Sequence, residues 1–119
     1  MALHNLLGTK GETIARTYLE NKGYEIMDQN WCFGKTEVDL IAYWDQRIIF
    51  VEVKTRTSTH YGQPEEFVTP TKQKNLQKAA DEYIYLMNFK GEIRFDIIAI
   101  VFDRGGNYQL RHVEDAFWY

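Results

Sequence analysis

A single cysteine, Cys32, stands in a chain of 119 residues. It can close no internal disulfide and build no cysteine-rich metal site, which points to a reducing compartment. Its expected role is packing beside Trp31. No apolar run approaches the roughly 18 residues of a membrane span, and the opening Met1-Ala2-Leu3-His4-Asn5 lacks the basic start and apolar stretch of a signal peptide. The expectation is a soluble, cytoplasmic protein with no membrane partner. Proline is scarce, with two residues, and there is no Ser/Gly/Pro-rich linker, repeat or low-complexity tract. Basic residues are not in excess either. The net charge of -3 and a pI near 5.6 speak against a broad phosphate-binding surface. A centre that gathers carboxylates around a divalent cation, however, looks acidic until the cation is counted. Lys54, Arg56, Lys72, Lys74 and Lys78 also fall within one short stretch.

What is present suits one globular domain over residues 1–119, with 45% hydrophobic and 15% aromatic residues. Leu7, Gly11, Ile14, Ala15 and Tyr18 recur at three- and four-residue steps and predict a helix over 6–22, ended by Gly23. A strand over 24–33 follows. Residues 36–44 and 47–56 are rich in β-branched and aromatic residues and flank Asp45-Gln46, which predicts a β-hairpin. Residues 57–64 read as a polar, mobile loop. A second helix over 69–87 carries Pro70 at its first position, with Leu76, Ala79, Ala80 and Tyr83 inside and Lys72, Lys74 and Lys78 outside. The near-continuous apolar run 93–102 predicts a strand buried on both faces, and 108–112 a short edge strand. The aromatic tail 113–119 should dock, on this domain or on a second copy.

The hairpin carries the chemistry. With its turn centred on Asp45-Gln46, opposed residues have numbers that sum to 91, so Asp39 faces Glu52 and Glu37 faces Lys54. Directly opposed residues share a sheet face, with Cβ atoms about 4.5 to 5.5 Å apart. Alternation also puts Glu52 and Lys54 on the face of Ile48 and Phe50, a core-type face. Two carboxylates there repel, and one must take up a proton unless a cation neutralises both. Hard divalent cations, Mg²⁺ or Mn²⁺, prefer such oxygen ligands. Lys54 would then reach a metal-bound water or a scissile phosphate, the combination that phosphodiester cleavage needs. The plain alternative for Glu52-Val53-Lys54 alone is a solvated face with a weak ion pair.

The segments LGTKGETIARTYLENKGYEIMDQNW, TEVDLIAYW, FVEVKTRTSTHYGQP, KQKNLQKAADEYI and RFDIIAI resemble, in that order, the bacterial YraN family. That family is similar to a branch of the PD-(D/E)xK nuclease superfamily near archaeal Holliday-junction resolvases. The resemblance implies a restriction-endonuclease-like α/β sandwich, a mixed sheet flanked by helices in the order α-β-β-β-α-β-β. It implies a Mg²⁺-dependent nuclease, with Mn²⁺ as substitute, acting on DNA that could be branched. Asp39 and Glu52, with the Val53 carbonyl, would hold the metal, and Lys54 would be the catalytic lysine. Val38 stands where the superfamily pattern has proline.

Glu12, one turn from both Gly8 and Ala15, is implied as a further acidic member; its alternative is an exposed helical glutamate. Gln73 resembles a supporting polar residue, while Lys72 and Arg56 would touch substrate; Gln73 and Lys72 read equally as solvated helix-start residues. His4, His60 and His112 lack metal-ligand spacing. His60-Tyr61-Gly62 could meet substrate, or simply connect. Asp96 reads as a buried, paired structural aspartate. The residues do not separate DNA from RNA, and a homodimer stays open. The competing functional class is a nucleic-acid-binding or scaffolding module that keeps the fold without cleavage; a third is a structural ion cluster in an interaction domain.

Overall fold

The computed structural model describes residues 3–57 and 68–117, with side chains from residue 6 onward. The expected loop beyond Thr57, with His60-Tyr61-Gly62, lies outside them, as do the His4 side chain and the last two residues of the tail. The elements are α1 (Leu3–Asn21), β1 (Glu25–Phe33), β2 (Thr36–Trp44), β3 (Arg47–Arg56), α2 (Pro70–Leu86), β4 (Glu92–Phe102) and β5 (Tyr108–Val113). The strands lie in sequence order in one sheet, antiparallel except for the parallel pair β3–β4. This is the expected α-β-β-β-α-β-β order.

Alternation explains the three layers. On β3, Ile48 and Phe50 enter one core with Leu76, Ala79 and Tyr83 of α2, while Ile49 and Val51 enter the other with Ala15 and Leu19 of α1. A strand apolar on both sides must be covered on both sides, so one helix packs on each face of the mixed sheet. The result is a restriction-endonuclease-like α/β/α sandwich. Thr69 caps α2 by accepting a hydrogen bond from the Lys72 N–H, and Pro70 occupies the first turn. Asp45 and Gln46 have φ of 52° and 63°, the pair of positive values that a type I′ turn demands.

Two further features fix the ends of the sheet. The tail docks on its own domain: Phe117 stacks on Phe95 at 5.1 Å, and the Ala116 N–H donates to the Phe95 carbonyl at 2.6 Å. Asp96, fully buried, accepts from Arg94 Nε and Nη2 at 2.8 Å each and from the Asp115 N–H at 3.0 Å, and lies 2.6 Å from His112 Nε2. Burial alone would raise its pKa, but these partners outweigh burial and hold the carboxylate below its ordinary range.

Helix α1 approaches β3 closely at Gly11, where an added Cβ would stand 2.1 Å from Thr55 Cγ2. Gly11→Ala should therefore destabilise the protein by about 1–3 kcal/mol through overpacking, against a helix-propensity gain of at most about 1 kcal/mol. Urea unfolding of G11A, T55A and the double variant checks this. The two changes should couple favourably, because removing the Thr55 methyl leaves the new Cβ room; strict additivity would contradict the close approach.

Candidate metal centre

Pairing between β2 and β3 follows the sum of 91 from Trp44–Arg47 to Leu40–Val51 and, among the described residues, ends there. The next β3 amide, Val53 N–H, donates instead to the Asp39 carboxylate, Oδ2 at 2.7 Å. A side chain has replaced a ladder bond, and the two strands fork. On the outer side, the β1–β2 register passes from Gln29–Leu40 to Trp31–Val38, leaving out Asn30 and Asp39. Asn30 is left-handed, with φ of 54°. Val38 and Ile41, three residues apart, consequently enter the same core. Strict alternation is broken across Asp39, and its carboxylate is placed at the fork, within reach of both helical layers.

Each layer sends side chains to this point. From α1, next to the Gly11 contact, comes Glu12. Glu12, Glu37 and Asp39 each offer a carboxylate oxygen within 4.8 Å of the others. On the other side of Asp39 lies Glu52, only 4% exposed, whose Oε1 is 3.5 Å from Lys54 Nζ and 3.4 Å from Lys72 Nζ. Lys72 arrives from the first turn of α2. Glu52 lies near enough to Asp39 for its charge to raise the Asp39 pKa, so without a cation the ionisation of one opposes that of the other.

The electrostatics follow from this crowding. Burial, then the Glu52 charge, holds the Asp39 pKa far above the carboxylate range, and the Val53 N–H only partly opposes them. Glu12 is raised by burial and then by Glu37 and Glu52, against a hydrogen bond from Asn30. Two carboxylate oxygens, Glu12 Oε1 and Glu52 Oε2, are covered by protein with no hydrogen-bond partner. A donor set made only of carboxylate oxygens, two of them unsatisfied, fits a hard divalent cation. Glu12, Glu37 and Asp39, with oxygens within 4.8 Å of one another, could hold one, with the buried Glu52 alongside. The Val53 carbonyl leaves its strand on the same side as the Val53 N–H, toward Asp39, and could join them.

Other expected site residues are placed differently. Glu37 clusters with Glu12 and Asp39, because the fork ends the pairing that would have set it opposite Lys54. Gln73 turns its amide to the Val68 carbonyl, 3.1 Å, and so braces the start of α2 from which Lys72 projects. Arg56 donates to the Thr55 carbonyl at 2.8 Å, at the margin of the centre. Cys32 does not pack beside Trp31. It is exposed, because the Asn30 irregularity turns Trp31 inward against Tyr83, and its thiol donates weakly to Glu37 Oε2 at 3.9 Å. Asn30 and Glu37 were not expected in the centre. The i, i+2 spacing of Glu37 and Asp39 was a signal for Glu37, whereas a left-handed asparagine within a strand leaves no comparable trace in sequence.

A restriction-endonuclease-like sandwich whose sheet forks over carboxylates and lysines defines the class of this molecule. A family model described as uncharacterised protein family UPF0102 matches residues 11–100, a span that holds Gly11, Glu12, the fork and the start of α2. The chain belongs to this family, the YraN family of the sequence resemblance. It is 44% identical over 119 residues to a UPF0102 protein of Flavobacterium psychrophilum, covering 100% of this chain and 99% of that protein. A UPF0102 protein of Bacteroides thetaiotaomicron is 42% identical over 118 residues, covering 99% and 97%. One of Chlorobium limicola is 44% identical over 118 residues, covering 94% and 92%.

The raised Asp39 pKa has a stability consequence whose sign is fixed. A carboxyl group with a folded-state pKa above its unfolded value near 3.9 stabilises the fold below that value, and the contribution is lost as pH rises toward the folded-state value. In chelator-treated protein, Asp39→Asn, which keeps an acceptor for the Val53 N–H, should raise Tm at pH 7.5 by on the order of 5 °C. It should have far less effect near pH 4. Calorimetry at the two pH values checks this, and an equal shift at both would show that Asp39 is not the strained group.

Proposed function

We propose that this protein is a Mg²⁺-dependent nuclease that hydrolyses DNA phosphodiester bonds, with Mn²⁺ able to substitute. The observation that carries the reading is the forked end of β2 and β3, where Asp39 and the buried Glu52 meet with an unpartnered oxygen and two lysines alongside. Asp39, Glu52 and the Val53 carbonyl would hold the cation, with Glu12 adjoining. When bound, the cation supplies polarisation of a phosphoryl oxygen and a lowered pKa for a water ligand.

The protein's own groups divide the remaining work. Lys54 sits two residues beyond Glu52, and its ammonium stabilises the charge that builds on the phosphoryl oxygens as water attacks phosphorus and the P–O bond to the departing alkoxide breaks. Lys72 lies at the N-terminus of α2, where its ammonium and the positive end of the helix dipole together favour a neighbouring phosphate. Arg56 extends the same cationic edge along β3. Gln73 positions Lys72 through the Val68 carbonyl and is a positioning residue. This cationic edge is local, which reconciles the reading with an overall charge of -3.

The test is cleavage of a panel of branched, flapped, single-stranded and duplex DNA, and of RNA, with Mg²⁺ or Mn²⁺. Metal-dependent cleavage is expected. Lys54→Ala should lower kcat by on the order of 10²-fold or more while leaving DNA affinity within a few-fold, as for loss of a group that acts on the transition state. Binding without cleavage on every substrate would overturn the enzyme and leave the recognition module in its place.

A further inference from the structure

The cationic edge of the centre does not end at β3. Lys54 is paired with Ala99 of β4, and Ala99 with Arg111 of β5. Paired residues share a sheet face, so Arg111 stands on the face of Lys54. Alternation along β5 agrees: Val113 packs into the core beneath α2 and Leu110 into the core beneath α1, which leaves Arg111 on the side of Val113. Two strand spacings, about 10 Å, separate Lys54 from Arg111. On that rung only the Ala99 methyl stands between them. The rung beyond it runs Arg56, Val101, Gln109, whereas the rung before it runs Glu52, Ile97, Val113 and is apolar past the carboxylate. Helix α2 packs over β2 and β1, and the tail covers this face at Phe95, nearer the other end of β4. Arg111 and Gln109 are exposed.

An edge strand often carries a charge simply to discourage pairing with another sheet. Such a guard needs no particular rung, but Arg111 falls on the rung of Lys54. We propose that Arg111 binds a backbone phosphate of the substrate strand, so that the strand leaves the centre at Lys54 and crosses β4 over Ala99 toward the β5 edge. This rests on the nuclease reading of the centre and deepens it by giving the substrate strand a direction. The spacing suits it: a strand that advances ~3.4 Å per nucleotide brings a phosphate about three nucleotides from the scissile one beside Arg111. A planar guanidinium takes two phosphate oxygens at once, and the Gln109 amide can donate to the sugar–phosphate backbone next to it. Arg111 is too far from the reacting phosphorus to act on it, so its contribution is to binding.

The experiment is fluorescence anisotropy of labelled DNA and RNA oligonucleotides, single-stranded and duplex, over a range of salt. The proteins are the full chain as wild type, Arg111→Gln, Arg111→Lys and Lys90→Gln. Lys90 is exposed and lies just before Glu92, at the far end of the sheet from the fork, so Lys90→Gln removes an equal charge elsewhere. Arg111 is exposed on an edge strand, so its variants should fold, and thermal melts verify it. Arg111→Gln should weaken binding on the order of tenfold at low salt and lower the slope of log affinity against log salt by about 0.9 on duplex DNA or about 0.7 on a single strand, the signature of one lost phosphate contact. Arg111→Lys should restore the slope, and Lys90→Gln should change neither quantity. Arg111→Gln that binds no more weakly than Lys90→Gln would overturn the strand path and leave the nuclease reading intact. So would a slope that Arg111→Lys does not restore. A wild type that binds no nucleic acid would overturn the nuclease reading itself, with this inference falling alongside it.

Discussion

The hydrogen bond from the Val53 N–H to Asp39 Oδ2, at 2.7 Å, is the contact on which the centre depends. Adjacent antiparallel strands normally satisfy each other's backbone, and an amide left facing a gap would be costly. Here a carboxylate accepts that amide, so β2 and β3 can part without leaving an orphan donor. Their parting opens the sheet where residues from α1 and α2 can both arrive. Without the fork, Glu12 and Lys72 would be separated by a continuous sheet. The same bond fixes Asp39 against β3, which gives the centre a rigid member although its neighbours are long glutamate and lysine side chains.

A comparison within the molecule shows how unusual the centre is. Asp96 and Glu52 are both buried carboxylates on central strands. Asp96 is surrounded by donors from Arg94, His112 and the Asp115 backbone, and its pKa falls despite complete burial. It ties β4 to β5 and to the tail. At the fork the protein instead sets carboxylates against one another, raises Asp39 and leaves two oxygens unpartnered. A fold able to satisfy Asp96 so fully has the means to satisfy Glu52. Glu52 Oε1 does have Lys54 and Lys72 beside it, but Oε2 has no partner, and that is the feature the proposed cation site would use.

The limits of what could be read in advance are physical ones. The hairpin register was legible because a two-residue turn leaves no freedom in pairing, and the alternation of Ile48 and Phe50 against Ile49 and Val51 follows from the pleat. The helical layers were legible for the same reason of period. The fork was not. It arises from an irregularity shared by two strands, with Asn30 left-handed on β1 and Asp39 skipped on β2, and extrapolating the register through it set Glu37 against Lys54. The same irregularity turned Trp31 in and Cys32 out, reversing the packing expected for the cysteine. Asp39 and Glu52 stand one step beyond the last true pair and stay near enough to influence each other, whereas Glu37 stands three steps beyond it.

Charge then couples the parts of the proposed chemistry. Glu12, Glu37, Asp39 and Glu52 meet Lys54 and Lys72, so the fully ionised centre is negative on balance and would repel a phosphodiester. Lys54 and Lys72 are in the meantime engaged with Glu52 Oε1. A divalent cation seated among the carboxylates would both reverse the local sign and weaken the hold of Glu52 on the two lysines, freeing ammonium groups where a phosphate must sit. Because binding free energies are reciprocal, phosphate would in turn tighten the cation. On this reading the overall acidity of the chain does not oppose a nucleic-acid substrate. It makes engagement of that substrate conditional on the metal, which would keep the lysines sheltered until the centre is loaded.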